Sequence, residues 1–129
     1  MRKNHENRHG SAAIEFALLM ALLLAPLLAG IWDAAKMIDM NQILTRAARE
    51  GVILASRGDD PAETVRAYVA AEGLSTDNLT VTVEVGDDDR QLGQEVSVFL
   101  NYNFADSTVY PWQDLMPGGM TTVARAKME

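Results

Sequence analysis

Residues 16–32 form seventeen consecutive uncharged positions, F-A-L-L-M-A-L-L-L-A-P-L-L-A-G-I-W. At about 1.5 Å per residue this run spans roughly 25 Å, and extension back to Ser11 gives roughly 33 Å, enough to cross a hydrocarbon core of about 30 Å. After Trp32 the pattern turns amphipathic with no break signal. Met37, Met40, Leu44, Ala47, Ala48, Val52 and Ala55 fall on one side at helical spacing, with Lys36, Asp39, Arg46, Glu50 and Arg57 opposite. One helix is therefore predicted from the membrane to about Ser56, ended by Arg57-Gly58, because glycine suits the left-handed cap. So long a helix needs support from a domain, a membrane or other subunits. Pro26 and Gly30 interrupt the apolar run, and two readings of them stand: a mild kink, or a point of local unwinding.

The rest of the chain changes period. Asp60-Pro61-Ala62-Glu63 reads as a helix start, with Asp60 as N-cap, Pro61 at the first helical position and Glu63 placed to close a capping box. Val65, Tyr68 and Val69 give this second helix a short apolar stripe, and Gly73-Leu74 ends it. Leu79, Val81, Val83 and Val85 then alternate with polar residues, as do Val96, Val98, Leu100, Tyr102 and Phe104, and both stretches predict half-buried strands. A third strand is expected over 120–128. The fold class is α+β: a long helix, a short second helix and a small antiparallel sheet of about three strands. The expected organisation is a leader at 1–10, a transmembrane segment at 11–32, an amphipathic continuation at 33–57 and an outer α+β domain at 58–129.

Charge orients this layout. Arg2, Lys3 and Arg8 against Glu6 give the first ten residues a net +2, leaving eight of the eleven basic and seventeen of the eighteen acidic side chains to the other 119 residues. Basic residues beside a first apolar segment hold that end in the cytoplasm, so the outer domain is expected beyond the membrane. A net charge of −7 excludes nucleic acid as a partner, because binding it needs a basic footprint. There is no cysteine, and both histidines, His5 and His9, lie in the leader. The outer domain thus has neither disulfides nor an imidazole for acid–base or zinc chemistry. We expect no enzyme, no cofactor, no metal and no small-molecule substrate. Lys36 or Lys127 with a serine is the remaining catalytic combination, and no nucleophile motif accompanies either.

Glu15 stands one residue before the uncharged run. A carboxylate at a bilayer centre costs about 2.5 to 3.5 kcal/mol and less toward the edge, which calls for a partner or an interfacial position. The basic leader, Gly10, S-A-A-I-E-F and the apolar run together resemble a class III signal, cut by prepilin peptidase after the glycine. The resemblance puts the cut between Gly10 and Ser11 and makes Glu15 the fifth mature residue. A secretory signal peptide is the competing reading, but its small-x-small site is missing: Leu27-Leu28-Ala29 has no small residue two before the alanine.

Residues 43–56, I-L-T-R-A-A-R-E-G-V-I-L-A-S, join these features. With S-A-A-I-E-F-A, the A-A-R-E-G run, N-Y-N-F and the end M-T-T-V-A-R-A-K-M-E, the chain resembles the TadE-like pseudopilin family of tight-adherence (Flp, type IVc) pilus systems. That resemblance implies a pilin-like fold and a minor pseudopilin in the bacterial inner membrane with a periplasmic C-terminal domain. It implies partners in prepilin peptidase, other pilin-like subunits and the pilus assembly machinery, with Glu15 and Phe16 as assembly residues. Glu15 would meet the new amine of Ser11 on a neighbouring subunit. The alternative is an uncleaved single-pass anchored periplasmic protein of structural or binding role.

Two connections carry open readings. Asp87, Asp88 and Asp89 form either a solvated turn or a calcium loop, although calcium loops alternate their ligands and add a distal glutamate. Between Ala105 and Gly119, Tyr110 and Trp112 either close the core's lower edge or present a contact surface for another subunit.

Overall fold

A computed structural model describes residues 6–86, 93–104, 114 and 118–129, the first four by backbone alone. Helix α1 runs Glu6–Ser56 as a single element of 51 residues that includes Pro26. It begins inside the basic leader, five residues before the predicted start at Ser11. Its apolar run is exposed from Phe16 to Leu28 and again at Ile31 and Trp32, and the helix is long and apolar enough to cross a membrane. Ala29 and Gly30 are half-buried, and Asp33 is the first buried residue among the described side chains of the helix.

The end of α1 follows from its residues. Gly58 adopts φ 88°, its N–H donates to the Ala55 carbonyl at 3.0 Å, and the Asp59 N–H donates to the Leu54 carbonyl at 3.1 Å. This pair of bonds satisfies carbonyls that the helix itself cannot use, and it needs a left-handed residue. Gly58→Ala is expected to destabilise the outer domain by about 1–2 kcal/mol, which lowers the melting temperature by roughly 4–16 °C in a domain of this size. Thermal unfolding by near-ultraviolet circular dichroism reads this directly, and an unchanged midpoint would show that the cap contributes nothing.

Helix α2 spans Ala62–Ala71. Its capping residue is Pro61 at φ −79°, one position later than the predicted Asp60, because the proline already has helical angles and its carbonyl accepts the Val65 N–H at 2.9 Å. Asp60 still prepares the turn, since its Oδ1 accepts the Ala62 N–H at 3.0 Å. The Glu63 arm of the capping box does not form among the described residues. Gly73, at φ 84°, closes α2 as expected, and Leu74 folds back against the core with its N–H on the Val69 carbonyl at 3.2 Å.

The three strands β1 (Leu79–Val85), β2 (Glu95–Asn103) and β3 (Gly119–Lys127) form one antiparallel sheet in the order β1-β2-β3. The register pairs Val83 with Val98 and Val98 with Ala124, so the predicted apolar positions share one face. Against that face lie α1 and α2, around a core of Leu44, Val65, Val69, Val98, Leu100 and Tyr102. The central strand β2 supplies the most deeply buried set, Val96, Val98, Leu100 and Tyr102, because it has a neighbour on both sides. Phe104 follows it and tilts against Tyr102 with ring centroids 5.8 Å apart. The chain's end is tied to the end of α1, where the Glu129 N–H donates to the Ser56 carbonyl at 3.2 Å. The other face of the sheet is open, and its Arg125–Glu95 pair, at 3.6 Å and largely exposed, contributes little.

Candidate functional site

The site read from the sequence lies near the start of α1. Helical spacing puts Glu15 one turn beyond Ser11, on the same side, and the Ser11 Oγ donates a hydrogen bond to Glu15 Oε1 at 3.2 Å. Both are exposed, as are Gly10 and Phe16. Among the described residues no basic side chain pairs with Glu15. A side chain at position 10 would meet nothing within 4 Å, so packing does not require the glycine there. The peptide bond between Gly10 and Ser11 lies within α1. Glycine is its weakest helical position, about 1 kcal/mol poorer than alanine, which makes this the easiest place to unwind the leader end. Chemically, the arrangement offers a lone carboxylate on an apolar rod beside the residue whose amide would become an amine after cleavage. An opposite charge in lipid is a far stronger partner than in water.

The second motif, residues 47–51, divides by size. Ala47 and Ala48 are fully buried, Gly51 is buried, and Arg49 and Glu50 point to solvent. The small residues let α2 and the sheet come close to α1: a Cβ built on Gly51 would lie 2.7 Å from Val65 Cγ2. This stretch is the seat on which the outer domain rests.

One buried carboxylate escaped the sequence reading. Asp33 is only 1 % exposed, although its neighbours Ile31 and Trp32 are open. Spacings of four, three and four link it to Met37, Met40 and Leu44, so the core stripe begins with a carboxylate at the membrane end of the domain. That spacing was the available signal, obscured because a charge usually marks a helix's wet side. Ile43 and Ser56 are also buried and were not anticipated.

Of the other candidates, Lys127 is exposed on β3 and faces Glu95 across the ladder. Lys36 lines a cleft of about 370 Å³ beside Met40, Leu74, Ser75, Asn78 and Tyr102. Tyr110, Trp112, Asp87, Asp88 and Asp89 lie outside the described residues.

Residues 10–52 match the model of the family described as TadE-like protein. No curated protein and no solved structure matches the chain. The matched segment starts at the glycine of the leader and stops just past Gly51, so it takes in Glu15, the apolar run and the 47–51 seat while omitting the sheet. The likeness to TadE-like proteins is thus carried by residues 10–52, about one third of the chain.

Proposed function

We propose that this chain is a minor pseudopilin of a tight-adherence pilus or of its secretion machine. In this reading it sits in the bacterial inner membrane with its α+β domain in the periplasm. Prepilin peptidase trims it after Gly10, and it docks with pilin-like subunits through the first turns of α1. The observation that carries the reading is the Glu15 carboxylate, exposed on a helix that is otherwise apolar for seventeen further positions and one turn from Ser11. Such a charge gains most when a cation meets it outside water, and the amine created at Ser11 of a neighbouring subunit supplies one. Tyr110 and Trp112 are proposed as contacts for such a subunit, since aromatic anchors concentrate interface energy. The role is structural and not catalytic.

A second reading keeps the chain uncut, as an anchored periplasmic protein. The observation in its favour is that α1 is already helical from Glu6, through the bond to be cleaved. The two readings differ in the mature N-terminus. Intact mass and N-terminal peptide mapping of the chain from its host should give a species beginning at Ser11, shifted to Met1 when the peptidase is deleted. A chain beginning at Met1 with the peptidase active sinks the first reading and leaves the second.

A further inference from the structure

We infer that the cleft beside Lys36 binds the phosphate of a glycerophospholipid headgroup in the outer leaflet, fixing the depth at which α1 stands in the membrane; this rests on the reading of α1 as a membrane span.

Depth is the first ground. Trp32 is 66 % exposed at the end of the apolar run, where amphipathic aromatic rings settle at the membrane surface. A hydrocarbon core of about 30 Å counted back from Trp32 takes about twenty residues. The headgroup layer adds about 5–7 Å on each side, so roughly the next four or five residues lie within it. Lys36 falls there, about 6 Å beyond Trp32. It is also the only lysine or arginine between Arg8 and Arg46.

The cleft's chemistry is the second ground. Its lining combines Lys36 and the polar Ser75 and Asn78 with the apolar bodies of Met40, Leu74 and Tyr102. The Ser75 hydroxyl accepts the Asp77 N–H at 3.4 Å, which leaves its own O–H to donate. Among the described residues Lys36 forms no ion pair. The carboxylates nearest it along the helix do not line the cleft: Asp33, three residues before, is buried under the domain, and Asp39, three residues after, is exposed. A lining that holds a cation, a hydroxyl donor and apolar carbon together matches a phosphodiester joined to glycerol esters.

The test uses the full chain in detergent micelles doped with phosphatidylglycerol, read by native mass spectrometry, with insertion into phosphatidylglycerol vesicles measured in parallel. The expected result is one retained lipid on the wild type, about tenfold less on Lys36→Gln, most of it kept on Lys36→Arg, and wild-type retention on Arg46→Gln, whose exposed base lies well above the headgroup layer. Equal retention by wild type and Lys36→Gln overturns the site. Displacement of the lipid by millimolar inorganic phosphate, or equal binding of phosphate without lipid, shows a free-anion site and overturns the headgroup assignment. A chain that does not enter the vesicles sinks the membrane span and this site with it, whereas insertion without Lys36-dependent retention sinks the site alone.

Discussion

Glu15→Ala is expected to leave the chain in the membrane and to abolish its part in pilus assembly. Insertion depends on the apolar run from Phe16 onward, which the substitution lengthens without interrupting, and removing a carboxylate near the bilayer edge only favours the lipid phase. In the proposed assembly the charge is decisive. The docking proposed for it removes the carboxylate and the new amine from water together, and taking away one partner of a buried pair costs about 3–5 kcal/mol because the other is left uncompensated. That corresponds to roughly two to three and a half orders of magnitude in association. Membrane fractionation should show wild-type amounts of Glu15→Ala, while pilus counts by electron microscopy and co-purification with partner subunits fall to background. Glu15→Gln should fail in the same way, since an amide keeps the shape and hydrogen bonding but not the charge. Glu15→Asp should retain part of the function. Normal piliation in the alanine variant would mean that the carboxylate is an interfacial residue facing headgroups and nothing more.

Glu15 was legible in the sequence because its signal is local: a charge beside an uncharged run needs no tertiary structure to be noticed. The partner proposed for it belongs to a neighbouring subunit, so the fold adds only that the residue is exposed and one turn from Ser11. The ends of both helices were legible for the same reason. Gly58 and Gly73 take the positive φ that closes a helix, and the residues before them cannot do so cheaply. Period-two alternation likewise placed β1, β2 and β3 and chose their buried faces, because a register shift of one residue would turn every valine of β1 outward. What stayed hidden depends on how far one element reaches over another. Asp33 is buried although it lies before Met37, the first apolar residue of the predicted stripe, and no periodicity reports how far along a helix its neighbours reach. The same holds for Gly51, which reads as a helix-weakening residue until the approach of α2 is known.

That approach makes the second strong prediction. On propensity alone Gly51→Ala should stabilise α1 by about 1 kcal/mol, since the residue lies inside the helix and glycine is the costlier choice there. The structure predicts the opposite sign. A Cβ at position 51 would stand 2.7 Å from Val65 Cγ2 and 3.5 Å from both Pro61 Cβ and Val98 Cγ1. Val65 cannot rotate away readily, being β-branched on a helix and fully buried, so α2 itself must move off α1. Overpacking of this kind costs about 1–3 kcal/mol, and the larger Gly51→Leu should exceed what so small a domain can lose. The expected readout for Gly51→Ala is a lower unfolding temperature and faster proteolysis of the outer domain in the detergent-solubilised chain. The clash also has a partner-specific signature. Val65→Ala alone opens a cavity and destabilises, yet in the Gly51→Ala background it makes the space that the new methyl needs. The double variant should therefore be more stable than the sum of the single ones by at least about 0.5 kcal/mol, the coupling expected of residues in contact. Strict additivity would separate the two positions, and a Gly51→Ala variant more stable than the wild type would show that α2 does not press on α1 at this point.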